Sequence, residues 1–478
     1  NYTSEYDDQI LPVLAQLPYW INKGDETRVY WSENHMIMWM SAAWLLHERE
    51  GWAMDDNLRT RLVHWLNLKK TYGFYEFFSQ TYLPYTLGGV LNLADFAEDE
   101  EIRRLAGEVA NYLVEHIMMG TNAKGNMFVV AGRTKDSKYT SHSHNHDAAI
   151  NLLTGMGSVP SNVTASTAEL STTEVDLSWG IDTYTDNLNV EYSFGHALSD
   201  SDTVHATQSK TDKFVFQWSG GAYFHPDVVN DTTWMMDTYN LWGHGNFTEL
   251  GGFSGFPNWI VGWGADIAAP ISRSSVITGG NIDIWKHKTS MLSSIHDYRG
   301  GYLGYQQQTI MATTGNVTTF TQSGSGTSSN LNSHLPKVIQ RDNVAMVIYN
   351  PLGELCTLFQ YCDQDVYLYW PEDKFDEVDY DVHSDNKWIT AREGDSYVAV
   401  RRDCGGDITG EFNFKCGDDK QMWGFVVGHA DTHGSYANFK LIISQATYSA
   451  SDVFNWSKLA NEWTTKLSVD GQSWSNKW

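Results

Sequence analysis

The sequence lacks long hydrophobic runs and has few cysteines and few basic residues. No apolar run reaches the roughly 18 residues that a membrane-spanning helix needs, so we expect no membrane-spanning helix in this sequence. Lys and Arg number 32 against 58 Asp and Glu, which gives a formal net charge of −26. Nucleic acid would be repelled and is not an expected partner. The sequence contains no signal peptide and opens on Asn1, so we expect a processed N-terminus.

The four cysteines all lie in the last third of the chain, and no CxxC or His–Cys zinc spacing occurs. Four cysteines allow three pairings, of which we prefer two local bridges, Cys356–Cys362 and Cys404–Cys416. Paired cysteines together with Asn-x-Ser/Thr sites favour a secreted, extracellular glycoprotein. The sequence has six such sites, at Asn1, Asn162, Asn230, Asn246, Asn316 and Asn455.

Helical patterns dominate the first two-thirds of the chain. Buried and amphipathic helices alternate over residues 33–47, 56–70, 81–97 and 99–117, which predicts helical hairpins arranged in a ring. We therefore expect an (α/α) toroid over residues 1–325. Further helices are predicted near 234–242, 257–269 and 285–296. Residues 158–213 are rich in Ser, Thr, Asp and Asn, and we expect a polar excursion over the surface there.

After about residue 325 the hydrophobic period changes to that of strands. Alternating segments lie at 338–349, 365–370, 388–400, 422–429 and 440–444. We expect residues 326–478 to form an antiparallel β-sandwich-like domain that carries both disulfides. The predicted fold class is therefore α+β with two domains.

Basic residues form three local groups that would attract a polyanion despite the acidic net charge. Each group is also compatible with an ordinary solvent-exposed surface that binds no ligand. They are Lys69 and Lys70; Arg133, Lys135 and Lys138; and Lys286, Lys288 and Arg299.

Three alternate histidines precede a predicted helix start at Asp147. His142, His144 and His146 would face one side of an extended segment, but their spacing matches no zinc template. We interpret the segment as a hydrogen-bonded loop that enters the helix.

The stretch from Ser294 to Gln306 combines tyrosines, glycines and one arginine, which suits a sugar-acid site. Glycine lets a ligand approach the backbone, and tyrosine offers a flat face and a proton donor. Arginine matches a carboxylate. The alternative is a Gly-rich turn whose tyrosines cap the core. The side chains concerned are Tyr298, Arg299, Tyr302 and Tyr305.

A polyuronate can be cleaved without water by elimination across C4–C5. The carboxylate at C6 must be neutralised, a base must take the C5 proton, and an acid must protonate the leaving O4. Where the C5 hydrogen and O4 lie on one side of the ring, a single tyrosine can serve as both base and acid, and a nearby cation lowers its pKa.

Three short stretches, in this order along the chain, resemble polysaccharide lyase family 38, the helical-toroid glucuronan and alginate lyases. They are Trp-Ser-Glu-Asn-His at 31–35, Tyr-Asn-Leu-Trp-Gly-His at 239–244 and Tyr-Arg-Gly-Gly-Tyr-Leu-Gly-Tyr at 298–305. The resemblance implies a lyase acting on a β-1,4-linked polyuronate, without a cofactor or a metal.

The resemblance also implies roles for individual residues. Tyr305 would be the acid and in some cases the base, and His244 the base or its helper. Arg299 would bind the carboxylate or tune the phenol, and Asp237 would orient the site or share a proton with it. Substrate-binding roles fall to Asn34, His35, Tyr239, Asn240 and Tyr302, although Asn34 and His35 are equally compatible with a core pair. A glycan at Asn246 would crowd His244.

Two other functions are compatible with the sequence. One is a glycoside hydrolase on the same helical scaffold, for which the carboxylates of Asp147, Asp237 and Glu249 are available. The other is a non-catalytic carbohydrate-binding protein that uses its tyrosines as platforms. In each case the expected partner is an anionic polysaccharide, not a nucleic acid or a membrane.

Overall fold

The computed structural model describes most of the chain, and every structural statement below concerns those residues. They are 4–21, 32–53, 55–140, 144, 146–157, 164–247, 250–269, 276–298, 306–323, 335–349, 365–402, 412–416, 421–455 and 460–477. These residues form fourteen α-helices and three antiparallel sheets, so the fold is α+β. None of the helices in these ranges is both long and apolar enough to cross a bilayer.

Twelve helices of the described residues precede residue 270. The helices predicted at 33–47, 56–70, 81–97 and 99–117 are confirmed, and those near 234–242 and 257–269 are confirmed with shifted bounds. The arrangement of these helices in a closed toroid stays a prediction. The twelve are α1 (Ser4–Leu14), α2 (Glu33–Glu50), α3 (Leu58–Tyr72), α4 (Leu83–Phe96), α5 (Glu100–Gly120), α6 (Asp147–Thr154), α7 (Ala165–Thr172), α8 (Ser178–Ile181), α9 (Ser201–Val204), α10 (Lys210–Trp218), α11 (Val229–Tyr239) and α12 (Asn258–Ile267).

Local sequence signals explain where the longest helices begin and end. The Asp99 carboxylate accepts the backbone N–H groups of Glu101 and Ile102 and so caps α5. The apolar stripe predicted from Ile102 to Ile117 is buried. At the end of α2, Gly51 adopts a left-handed φ of 66° and donates its N–H to His47 O.

In the described ranges, sixteen strands form the three sheets. The seven-stranded sheet has the order β1 (Asn187–Gly195), β2 (Gly279–His287), β3 (Ser290–His296), β4 (Ile310–Thr314), β5 (Val317–Ser323), β8 (Val366–Tyr369), β12 (Phe412–Cys416). The six-stranded sheet has the order β6 (Lys337–Arg341), β7 (Val344–Tyr349), β13 (Gln421–His429), β11 (Ser396–Arg402), β10 (Trp388–Glu393), β9 (Glu377–Asp379). The three-stranded sheet contains β14 (Thr447–Asn455), β15 (Ala460–Val469) and β16 (Gln472–Lys477). Helices α13 (Ala430–His433) and α14 (Tyr436–Ser444) follow β13.

The sheets and helices pack in layers. Successive residues of a strand point to opposite faces. In β3, Met291 and Ile295 belong to the core shared with the helices, whereas Leu292 belongs to the core shared with the six-stranded sheet. The other face of the six-stranded sheet, which includes Met346 and Trp388, packs with α14 and the three-stranded sheet. The seven-stranded sheet is thus covered on both faces.

The sequence-based prediction for residues 158–213 was wrong. This segment contains α7, α8, β1, α9 and the first turn of α10. All nine residues of β1 pair with β2. Its apolar residues Leu188, Val190, Tyr192 and Phe194 alternate with polar ones and pack against the helical core. The polar composition of the segment concealed this period of two.

Two further assignments of secondary structure were wrong. Residues 285–296 form the hairpin of β2 and β3, not a helix, with Lys288 at a positive φ of 50° in the turn. Residues 440–444 belong to helix α14, not to a strand. In that helix, Ser435 caps the N-terminus by accepting the N–H of Asn438, and Phe439 and Ile443 lie one turn apart on the buried face.

Strands begin well before residue 325, where the sequence predicted the change from helices to strands. Strand β5 pairs with β8, so the seven-stranded sheet takes strands from both sides of that position. The division into domains 1–325 and 326–478 stays a prediction. The disulfide pairing also stays a prediction, because Cys356, Cys362 and Cys404 lie outside the described residues and Cys416 is known only as the end of β12.

Candidate functional site

A buried row of polar side chains joins the start of α2 to the segment before α4. Asn34 Nδ2 donates to both carboxylate oxygens of Glu76, at 3.0 and 2.9 Å. Arg133 Nη1 lies 3.7 Å from Glu76 Oε1. Burial raises the pKa of Glu76, against the effect of Arg133 and with the support of the Glu33 carboxylate. The Asn34 amide is therefore engaged by a protein carboxylate, and its role as a direct ligand of a uronate stays a prediction.

Glu33 and Lys69 anchor this row in the core. They form an ion pair whose side chains are 0% and 2% exposed. The other Glu33 oxygen accepts the backbone N–H of Glu76 at 2.7 Å. Because a buried charge is costly without a partner, this pair fixes the start of α2 against the segment that carries Glu76. It thereby positions His35, which lies two residues after Glu33.

His35 is the exposed side chain at this end of α2. Partial desolvation of the ring lowers the pKa of His35, and the nearby cations Arg133 and Lys135 lower it further. At neutral pH the imidazole is therefore mainly uncharged and able to accept a proton. Ser32 Oγ forms a short hydrogen bond with His35 Nδ1. When Nδ1–H donates to Ser32, the lone pair lies on Nε2.

Tyr82 places a phenol beside the same two cations. The Arg133 guanidinium lies 5.7 Å and the Lys135 ammonium 5.6 Å from the centre of its ring. The Tyr82 hydroxyl donates to Gln306 Oε1 at 3.4 Å. Thr134 N–H donates to Gln306 O at 2.8 Å, which ties the strand-like segment at 131–134 to residue 306. His35, Tyr82, Arg133 and Lys135 are called the cationic cluster below.

The other predicted basic groups are engaged elsewhere. Lys69 pairs with Glu33 in the core, and Lys70 pairs with Glu108 at the surface. Lys138 is buried and donates to Gln322 at 2.7 Å. The remaining described members are also paired: the Lys286 ammonium faces the backbone carbonyls of Met118, Met119 and Thr121, and Lys288 pairs with Asp431. Lys135, in contrast, is exposed and forms no ion pair with a described carboxylate.

A groove of about 960 Å³ leads away from His35 along α2. Aromatic and aliphatic side chains line most of it, among them Tyr19, Met38, Trp39 and Phe96. Tyr19 and Trp39 meet edge to face, with ring centres 5.7 Å apart. The wall formed by α2 extends from His35 to Arg49, about 21 Å at the rise of an α-helix. Such a groove offers stacking surfaces for an extended chain.

The residues predicted around His244 lie together at the end of α11. Trp242 Nε1 donates to Asp237 Oδ1 at 2.7 Å, and Tyr239 shares a hydrogen bond of 2.9 Å with Thr211. Asn240 adopts a left-handed φ of 57° and ends the helix. The ring of His244 packs 5.7 Å from that of Phe247.

Several predicted functional residues lie outside the described residues, and their roles stay predictions. They are Arg299, Tyr302 and Tyr305 of the expected catalytic segment, His142 of the histidine loop, Glu249 of the hydrolase alternative, and Asn1 and Asn162 of the glycosylation sites. Tyr298 is described and half-buried against the helical core, and its hydroxyl donates to Pro336 O. It therefore packs against the core.

Four of the glycosylation sites fall in described segments, although their occupancy stays a prediction. Asn230 is exposed near the start of α11, and Asn246 lies in a short 3-10 turn. Asn455 ends β14. The Asn316 side chain is exposed and accepts a hydrogen bond of 2.7 Å from Asn126.

The histidine loop enters α6 at Asp147, as predicted. His144 and His146 both turn toward the Asp147 carboxylate, with nitrogen–oxygen distances of 3.4 and 3.3 Å. This loop lies next to the segment before α4, because His146 Nδ1 contacts Gln80 O at 3.3 Å.

The sequence singled out Arg133, Lys135 and His35 but missed Glu76 and Tyr82. Glu76 is 42 residues from its partner Asn34, and Tyr82 is 224 residues from Gln306. Nothing in the local pattern around Tyr82 distinguishes it from the neighbouring Tyr85. The only signal was the run of basic residues at 133–138, which Tyr82 faces in the fold.

Comparison with known proteins identifies no family for this chain. No protein-family model matches it, and no curated protein matches it. Among solved structures, the crystal structure of heparinase III aligns with a TM-score of 0.25 and 8% sequence identity, over 99% of this chain and 79% of that chain. A TM-score this low does not establish a shared fold.

Proposed function

We propose that the chain is a lyase that cleaves a β-1,4-linked polyuronate, such as glucuronan or alginate, by β-elimination at the cationic cluster. One observation carries the proposal: an exposed imidazole, a phenol and two cations meet at one place in a protein whose net charge is −26. Against such a net charge, a local positive lining selects for an anionic substrate.

Arg133 and Lys135 would bind the C6 carboxylate of the reacting sugar. Neutralising that carboxylate stabilises the negative charge that develops when the C5 proton leaves. Arg133 is 9% exposed and held by Glu76, so it supplies a fixed charge, whereas Lys135 is exposed and can follow the substrate. The two cations would account for substrate binding and for the acidity of the C5 proton.

His35 would take the C5 proton. Its lowered pKa keeps the imidazole uncharged at neutral pH, and its exposure leaves it accessible from the groove. The activity should therefore fall on the acid side, with an apparent pKa below the usual value of about 6.5 for histidine. Binding of an anionic sugar between the imidazole and the cations would raise that value somewhat.

Tyr82 would protonate the leaving O4. Its hydroxyl already donates a hydrogen bond to Gln306, and it lies beside the cations that hold the carboxylate. Tyr305, which precedes Gln306 in the chain, is the acid that the family resemblance implies, with Arg299 and His244 as its partners. Replacement of each tyrosine separates the two assignments.

The groove along α2 suits a polymer better than a monosaccharide, because its α2 wall extends about 21 Å from His35. In this proposal the protein is secreted and meets its polysaccharide outside the cell. No cofactor takes part in the elimination.

The test is an ultraviolet assay for the C4=C5 double bond on a panel of glucuronan, alginate and hyaluronan. We expect the wild-type protein to be active on at least one of them. Tyr82→Phe should lower kcat by about 10²–10⁴-fold, the usual contribution of a general acid. Tyr85→Phe is the matched control, because Tyr85 lies three residues further on, is exposed, and contacts neither cation.

The outcomes separate the competing functions. If Tyr305→Phe abolishes activity and Tyr82→Phe does not, the acid is Tyr305. If reducing ends appear without ultraviolet absorbance, the protein is a hydrolase. If all three polysaccharides bind but remain intact, it is a carbohydrate-binding protein, and the lyase proposal fails.

A further inference from the structure

The histidine loop before α6 brings three possible metal ligands together. His144 Nδ1 lies 3.4 Å from Asp147 Oδ2, and His146 Nε2 lies 3.3 Å from Asp147 Oδ1. One possible ligand atom from each residue lies within 4.8 Å of the ligand atoms of the other two. We propose that His144, His146 and Asp147 bind one divalent transition-metal ion of the zinc type.

The spacing of these atoms is close to the spacing of ligands around a bound zinc ion. Zinc binds imidazole nitrogen and carboxylate oxygen at about 2.0–2.2 Å in tetrahedral geometry, which separates neighbouring ligand atoms by about 3.4 Å. The two nitrogen–oxygen separations of 3.4 and 3.3 Å agree with that value. Two histidines and one carboxylate leave a fourth position for water.

Backbone carbonyls orient both imidazoles for metal binding. His144 Nε2 lies 3.1 Å from Tyr139 O, and His146 Nδ1 lies 3.3 Å from Gln80 O. A carbonyl oxygen only accepts, so each of these nitrogens carries the proton. The lone pairs then lie on His144 Nδ1 and His146 Nε2, the two nitrogens that face Asp147. Outer carbonyl partners of this kind are typical of histidines that bind metal.

This arrangement places three acceptors against one another. The His146 side chain is 1% exposed, and neither its Nε2 nor Asp147 Oδ1 has a hydrogen-bond partner among the described residues. Buried acceptors that face each other without a donor are unfavourable. A metal cation at their centre satisfies all three at once.

Two other His/Asp/Glu groups in the described chain lack this arrangement. Asp431, next to His287 and His429, already pairs with the Lys288 ammonium. In the group of Glu191, Asp283 and His296, the two ring nitrogens of His296 lie 3.1 and 3.0 Å from carboxylates of Asp283 and Asp297. In the first group a lysine ammonium already balances the carboxylate, and in the second both ring nitrogens of the histidine already face carboxylates.

The ion would connect the loop before α6 to the segment at 80–82, which contains Tyr82. His146 contacts the carbonyl of Gln80, two residues before Tyr82, and Thr81 hydrogen-bonds to Ser137 at 3.1 Å. A metal at this place therefore has a positioning role. It does not touch the reacting atoms of the proposed elimination.

The test uses the full chain without a histidine tag, stripped of metal with a chelator and titrated with Zn²⁺ against a chromophoric chelator. We expect one equivalent of Zn²⁺ to bind to the wild-type protein. Asp147→Asn should weaken binding by more than the roughly 10–100-fold that changes to outer partners cause. Asp431→Asn is the matched control. Asp431 also lies beside two histidines but pairs with Lys288, so this variant should bind zinc like the wild type.

Co²⁺ provides a second measurement that does not depend on any variant being folded. In place of zinc it should give the intense visible absorption of a tetrahedral site in the wild-type protein, and Zn²⁺ should displace it. The proposal is overturned if the wild type binds no stoichiometric Zn²⁺ and shows no such absorption, or if folded Asp147→Asn and His146→Gln bind zinc as the wild type does. Loss of the elimination activity alone would not bear on it.

Discussion

Removal of the Lys69 ammonium should show how the buried polar row supports the candidate site. Lys69 is paired with Glu33, whose other carboxylate oxygen holds the backbone of Glu76. Lys69→Met keeps the length and apolar stem of the side chain and removes its charge. The variant leaves the Glu33 carboxylate in the core without its cation.

The expected cost follows from the burial of both groups. With side chains 0% and 2% exposed, loss of one partner should lower the free energy of unfolding by about 3–5 kcal/mol. The adjacent Lys70 offers a matched control, since its pair with Glu108 is 37% and 39% exposed. Lys70→Met should cost at most about 1 kcal/mol.

Urea unfolding of the two variants, followed by tryptophan fluorescence, measures the difference. A second replacement, Glu33→Gln in the Lys69→Met background, should recover part of the loss, because it removes the uncompensated charge. The reasoning is refuted if Lys69→Met is no less stable than Lys70→Met, or if the added Glu33→Gln lowers stability further by several kcal/mol.

Three other changes have defined expected outcomes. Burial lowers the pKa of His116 from 6.5 to about 4, so the stability that His116 contributes is complete above pH 6.5 and is lost as the pH falls toward 4. This loss amounts to about 3 kcal/mol, so urea unfolding should show that stability falls by about 3 kcal/mol less between pH 6.5 and pH 4 in His116→Phe than in the wild type. Gly132→Ala would place a Cβ 1.9 Å from Tyr75 O and should cost about 1–3 kcal/mol or more in thermal unfolding, whereas Gly243→Ala meets nothing within 4 Å and should be neutral. Lys135→Gln should raise KM for the uronan and weaken the dependence of KM on salt, as initial rates at several ionic strengths would show.

The hydrophobic period identified elements that have one buried face and one exposed face. Helix α5 and strand β6 were predicted for this reason. The seven-stranded sheet was harder to predict, because it is covered on both faces and its central strands do not alternate. Strand β5 is buried along its whole length and yet contains Thr318, Thr319 and Thr321, which are typical of a surface strand.

The candidate site was predictable only in part, because it depends on contacts between distant segments. His35 and the basic run at 133–138 were visible in the sequence as isolated candidates. Their convergence on Tyr82 depends on the contact of Gln306 with Thr134 and Tyr82, which no local pattern encodes. The pairing of Asn34 with Glu76 likewise joins two segments 42 residues apart, which no local pattern encodes.

The most direct test of the central claim is the fate of solvent oxygen during cleavage of a polyuronate. The wild-type protein would be incubated with glucuronan or alginate in water enriched in heavy oxygen, and the products would be analysed by mass spectrometry. Elimination at the cationic cluster predicts unsaturated oligosaccharides that carry no solvent oxygen at the cleaved bond. Saturated products with one heavy oxygen per cleavage would contradict it and identify a hydrolase.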